Sequence, residues 1–144
     1  MAKSAELTYA DLQVGDRAEF RTALTLEMVD AFGQLSGDLN ELHMDEAYAK
    51  QAGFEGRVAH GMFAGIWFSR LIGMHLPGRS ALYLSQDIRF HKPMMAGKEF
   101  LVRGEIIQKS DALQVITLSI KVIEQGSEVI CAEGKALVKV RETL

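Results

Sequence analysis

His60-Gly61-Met62-Phe63-Ala64-Gly65-Ile66-Trp67-Phe68-Ser69-Arg70-Leu71-Ile72-Gly73-Met74-His75, closed by Pro77-Gly78, is the stretch on which the fold turns. It has the length of a long helix and ends where proline and glycine stop one. Apolar residues occupy almost every face. A helix of that kind is normally wrapped by the rest of its own protein. The surrounding apolar run, Val58 to Leu76, is broken by His60, Arg70 and His75 and falls short of a good membrane span. Gly61, Gly65, Ser69 and Gly73 recur every fourth residue. That spacing makes one stripe with almost no side chains, which another backbone could approach closely.

Downstream of this helix the period changes from helical to alternating. Strands are expected over Leu82–Phe90, Glu99–Gln108, Leu113–Glu124 and Val129–Val140, with Lys92-Pro93, Ala96-Gly97 and Gln125-Gly126 as breakers. Short connections suggest an antiparallel meander. Upstream, Val14-Gly15-Asp16 reads as a turn before a strand at Ala18–Leu24. Thr25 caps a helix with apolar positions Met28, Val29, Phe32 and Leu35, which Gly37 ends. Asp45 caps a short helix, Glu46–Gln51. One buried helix and about five antiparallel strands imply an α+β architecture, a curled sheet wrapped around that helix.

A chain of 144 residues fits a single domain, 1–144, with a real core. The net charge of −3 comes with no Lys/Arg cluster, which argues against nucleic acid as the partner. One cysteine, Cys131, rules out an intramolecular disulfide and suggests a reducing compartment, the cytoplasm. The N-terminus has no apolar core of a secretory signal, and its early Glu6 and Asp11 argue against a transit peptide. No membrane association is expected.

Chemistry concentrates in Ser36-Gly37-Asp38-Leu39-Asn40-Glu41-Leu42-His43. Gly-Asp-x-Asn reads either as a turn held by its own side chains or as a site. His43 reads either as a satisfied core histidine or as a base. Together they put a carboxylate, an amide and an imidazole in one short polar segment, able to hold and activate one water. Gly61 opens the long helix. Its N–H is either an ordinary helix-start amide or a donor that stabilises negative charge on an oxygen. Ser69 is a spacer or a polar pocket residue. Met62, Phe63, Ile66 and Trp67 are core by default, or line an acyl tunnel. His43, His60, His75 and His91 lack close metal-ligand spacing, so no metal site is expected. No phosphate-binding glycine loop or Gly-x-Ser-x-Gly elbow is present.

The Asp38-x-Asn40-x-x-His43 element, followed by Ala59-His60-Gly61-Met62, resembles the MaoC-like, or hydratase-2, family of (R)-specific enoyl-CoA hydratases. Leu76-Pro77-Gly78, Tyr83-Leu84-Ser85-Gln86, Ile88-Arg89-Phe90, Lys92-Pro93 and Gly97 are similar to its short bacterial members, which feed polyhydroxyalkanoate synthesis. The resemblance spans about residues 12 to 140. It implies a hotdog fold and a homodimer joined through the sheets. It implies Asp38 and His43 as catalytic dyad, and Asn40, His60, Gly61, Ser69, Phe63 and Trp67 around the substrate. The implied reaction is reversible hydration of a trans-2-enoyl-CoA to the (3R)-3-hydroxyacyl-CoA, with no metal or redox cofactor and coenzyme A as part of the substrate. The alternatives are a (3R)-hydroxyacyl-carrier-protein dehydratase, a hotdog thioesterase and a noncatalytic acyl-CoA-binding hotdog subunit. One residue departs from the family pattern. Proline usually follows the asparagine, and here Glu41 does. Its loss is expected to loosen the loop that sets the Asp38–His43 distance, and the added charge to raise the pKa of Asp38 or His43.

Overall fold

The computed structural model describes residues 1–142. Strand β1 (Arg17–Ala23) leads into helix α1 (Leu26–Ser36), two short helices α2 (Glu41–Met44) and α3 (Glu46–Gln51), and the long helix α4 (Phe63–Met74). Strands β2 (Ala81–Gln86), β3 (Arg89–Phe90), β4 (Glu99–Ser110), β5 (Val115–Glu124) and β6 (Ile130–Val140) follow. All pairings are antiparallel in one six-stranded sheet of order β1-β4-β5-β6-β2, with β3 also on β6.

The strands alternate because one face carries the core. Val102, Ile106, Ile116, Leu118, Ile120, Val122, Ala136 and Val138 are fully buried on that face. Register aligns them into rows, Val102 opposite Val122 and Ile106 opposite Leu118. Ala64, Trp67, Phe68, Leu71 and Ile72 of α4 complete the core. Gly104 of β4 makes the approach of α4 possible, since a Cβ there would lie 2.5 Å from Leu71 Cδ2. Among the described residues no helix is long and apolar enough to cross a membrane.

Three expectations need correction. The segment after α4 is not one strand, nor the first member of a meander. Only β4-β5-β6 is a meander, while β2 and β3 cross to the far edge and pair with β6. The break falls at Asp87, whose carbonyl passes so close to Gly134 that a Cβ there would lie 1.8 Å from it. Among the described residues, the glycines of the small-residue stripe meet side chains or open space, not another backbone. Gly61 faces the Phe90 ring and Gly65 the Ile88 side chain. The helix also begins at Phe63, not at His60, and a tight turn precedes it, with Phe63 N–H bonded to His60 O and Ala64 N–H to Gly61 O.

Candidate active site

Asp38 lies just beyond α1, where Gly37 takes the left-handed conformation that ends the helix (φ 78°). Its carboxylate accepts the Asn40 N–H at 3.2 Å. Asn40 in turn caps α2, its Oδ1 accepting the Leu42 N–H at 3.0 Å. One turn of helix then carries His43. The turn-forming reading of Gly-Asp-x-Asn therefore holds, and the same turn spaces the dyad.

Asp38, His43 and His60 bring a carboxylate oxygen and ring nitrogens within 4.8 Å of one another. That separation suits one bridging water, with each leg a normal hydrogen bond. Asp38 is exposed, His43 half-buried and His60 buried. These are three residues of metal-ligating type, which the sequence spacing did not reveal. Each histidine already commits one ring nitrogen to a main-chain carbonyl: His43 Nδ1 to Val58 O at 2.7 Å and His60 Nε2 to Asp38 O at 2.8 Å. A carbonyl only accepts, so His43 Nδ1 carries the proton that donates to it, and in the neutral ring Nε2 keeps its lone pair.

The segment 57–60 grips this loop along its length. Arg57 Nε donates to the His43 carbonyl and its Nη2 to the Asp30 carboxylate on α1. Val58 N–H donates to Leu42 O at 3.3 Å. Sequence reasoning missed Arg57. Its only signal was a guanidinium next to the apolar pair Val58-Ala59, where a charge needs a partner.

These contacts bear on one part of the expectation for Glu41, that the loop loosens without the proline. It occupies the first position of α2, where a negative charge meets the positive end of the helix. Its N–H makes no hydrogen bond among the described residues. Asn40 sits at φ −54° and ψ 133°, the extended geometry that a following proline requires. The loop is held by its caps and by segment 57–60, so the missing proline does not release it. Glu41→Pro is expected to raise stability by about 0.4–1 kcal/mol and to leave turnover unchanged, as thermal unfolding and an activity assay would measure.

A cleft of about 340 Å³ opens beside His43 and is lined by Gly61, Phe90, Lys92, Pro93 and Met94 among others. The Gly61 N–H points to no acceptor among the described residues. A side chain at Gly61 would press on Phe90, 3.2 Å from the added Cβ. Phe90 also walls a second groove of about 470 Å³ that holds Ser69, Tyr83 and Gln86. Ser69 thus lies in the neighbouring groove rather than against the dyad. Tyr83 donates to Gln86 Oε1 at 2.6 Å, and burial pushes its phenol up to about 12. Phe63 and Trp67 do not wall either cleft. They are 3% and 2% exposed and pack edge-to-face in the core. His60, at 2% exposure, reaches the site only through Asp38 and His43.

The far wall of the cleft is pinned by a charge cluster. Glu124 is 5% exposed and accepts from Lys92 at 2.8 Å and Ser127 at 2.6 Å, with Lys98 at 3.2 Å. The Lys92 hydrogen bond, then that of Ser127, holds its carboxyl at about 2, below the ordinary 4.5. A lowered folded-state value means that the unfolded chain takes up the proton first. This contribution to stability is complete above about 4.5 and disappears as pH falls toward about 2. Glu124→Gln should flatten the fall of the unfolding midpoint across that window, as urea titrations at stepped pH would read.

A sequence profile described as "MaoC like domain" matches residues 11–127. The (R)-specific enoyl-CoA hydratase of Aeromonas caviae is 34% identical over 128 residues, which cover 89% of this chain and 95% of that protein. The mitochondrial 3-hydroxyacyl-[acyl-carrier-protein] dehydratase of Arabidopsis thaliana is 33% identical over 127 residues, covering 87% of this chain and 75% of that one. The unliganded R-hydratase PhaJ1 of Pseudomonas aeruginosa superposes with a TM-score of 0.92 at 31% identity, over 97% of this chain and 89% of that chain. The sheet with α4 packed on it is the hotdog fold, and the chain belongs to the MaoC-like domain family.

Proposed function

We propose that this protein is an (R)-specific trans-2-enoyl-CoA hydratase, a hydro-lyase that adds water reversibly to give the (3R)-3-hydroxyacyl-CoA. One observation carries the reading. An exposed carboxylate and an imidazole stand within 4.8 Å of one another, beside a cleft that Gly61 lines, and the Gly61 N–H has no acceptor among the described residues. The kinship with the Aeromonas hydratase supports it.

The thioester carbonyl accepts from Gly61 N–H, which draws electron density from C3. A water held between Asp38 and His43 attacks C3 and gives up its proton to the dyad. The C2–C3 π electrons move toward the carbonyl, whose oxygen gains charge as an enolate. The Gly61 amide and the N-terminus of α4 stabilise that charge, a contribution of about 10²–10³ in rate for one such donor. The proton that His43 took from the water passes to C2, which completes the addition and returns the dyad to its starting state. The free lone pair on His43 Nε2 makes His43 the base for the water, and Asp38 holds the water's second hydrogen. No step draws on a metal or redox cofactor.

The kinship with the Arabidopsis dehydratase keeps a carrier-protein thioester as the second reading of the substrate. We also propose a homodimer, in the cytoplasm. Strand β2 is a free sheet edge with Leu82 and Leu84 more than half exposed, and Met62 and Phe90 are similarly exposed nearby. A second copy would cover this edge and its apolar surroundings. The single buried thiol, Cys131, suits a reducing compartment.

Loss of the conjugated-enoyl absorbance of crotonyl-CoA, coupled to an (R)-specific dehydrogenase, tests the reaction. Turnover to the (3R) product is expected. Release of free thiol instead would identify a thioesterase, and turnover of carrier-bound substrate alone would identify the dehydratase.

A further inference from the structure

We infer that His60 is a positioning residue that sets both members of the dyad from beneath. The inference rests on the hydratase reading for its consequence in turnover, but not for its geometry.

His60 is 2% exposed and cannot meet the substrate from where it lies. Its ring is held between two others. The His43 ring centroid lies 4.0 Å away at 31°, and the Phe32 centroid 4.4 Å away at 31°. Its edge is taken as well, since Nε2–H donates to the Asp38 carbonyl at 2.8 Å. One side chain therefore touches the main chain of Asp38 and the ring of His43. Phe32 comes from α1, so the stack ties the dyad to a helix of the fold.

The remaining ring atom shows that filling space is not the reason for an imidazole here. Nδ1 is buried and has no hydrogen-bond partner among the described residues. A buried polar atom without a partner is destabilising. Phenylalanine would fill the same slot between Phe32 and His43 without that penalty. What it would lack is the Nε2–H donor to Asp38. The geometry thus accepts a stability cost to anchor one carbonyl.

That carbonyl needs an anchor. Asp38 is exposed and follows a left-handed glycine, and its carboxylate has one local bond, to Asn40 N–H. Val58 O and the Arg57 guanidinium fix the His43 end of the loop independently. Within the loop Asn40 bonds both ends, its N–H to the Asp38 carboxylate and its carbonyl to the His43 N–H, and from outside the loop His60 contacts both, at the Asp38 carbonyl and the His43 ring. A shift of about 1 Å in a reacting group costs about 10²-fold in rate.

Two substitutions separate its two contacts. His60→Phe keeps the stack and removes the donor. His60→Gln keeps a donor that reaches Asp38 O and removes the ring. For crotonyl-CoA hydration, His60→Phe is expected to lower kcat by about 10–100-fold with KM within about twofold. His60→Gln should retain more kcat than His60→Ala. In both folded variants the side-chain nitrogen resonances of His43 should move, a readout independent of turnover. Parental kcat in His60→Phe would overturn the inference. So would a raised KM at unchanged kcat, which would make His60 a substrate contact. If the parent protein turns over no enoyl thioester, the hydratase reading fails by itself. The His43 resonances then decide the inference: displaced, it stands, and unmoved, it falls. If His60→Phe does not fold, His60→Gln against His60→Ala gives the same decision.

Discussion

Asp38→Asn and His43→Ala will each lower crotonyl-CoA hydration by about 10²–10⁴-fold, the range that a positioned acid or base contributes, while the fold survives. Asp38→Asn keeps an oxygen for the Asn40 N–H, so the turn that spaces the dyad persists. It removes the negative charge that holds the water. His43→Ala removes the ring and its bond to Val58 O, but the Arg57 bond goes to the His43 main chain and remains. Helix α2 keeps its Asn40 cap. Circular dichroism and the unfolding midpoint should therefore stay near the parent while kcat collapses. Parental rates in both variants would remove the dyad from the mechanism.

Trp67→Ala will destabilise the protein by about 3–5 kcal/mol, the range for deleting a large buried aromatic. Trp67 is 2% exposed, with the Phe63 ring 5.1 Å away edge-to-face and the Phe100 ring of β4 at 5.4 Å. It fills the space between α4 and the sheet, which leaves a cavity when the indole is removed. Equilibrium urea unfolding reads this directly. A pocket-lining tryptophan would behave differently, shifting acyl-chain preference at nearly constant stability, and that outcome would return Trp67 to the substrate.

The two expected results would divide the long helix from the turn before it. The buried side of the helix carries the core, and the turn holds Gly61, which lines the cleft, and His60, which bonds the Asp38 carbonyl. The sequence showed both ends of this division, because an all-round apolar segment and a preceding His-Gly are local patterns. It did not show which large residues meet substrate. Met62 is exposed while Phe63 is buried, and adjacent residues of similar apolarity differ only in which way α4 is turned against the sheet.

Much of the fold was legible for the same reason. Alternation in β4, β5 and β6 follows from one buried face, and turns at Gly126 and Gly97 follow from left-handed backbone that glycine accepts without strain (φ 90° and 91°). Strand order was not legible. Alternation says that a strand has an inner face, not which neighbour it bonds, and β2 pairs with the last strand rather than the next. The polar motif was similarly clear in its residue types. A motif of six consecutive positions fixes its own turn, so Asp38, Asn40 and His43 were found together. What holds the turn in place comes from elsewhere in the chain. Arg57, Val58 and His60 hold the loop across 14 to 22 residues of sequence, and Phe90 closes on Gly61 from β3. Periodicity records which face of an element is apolar. Only the packed structure decides which hydrogen-bond donors reach a distant carbonyl, because that depends on how whole elements are placed against one another.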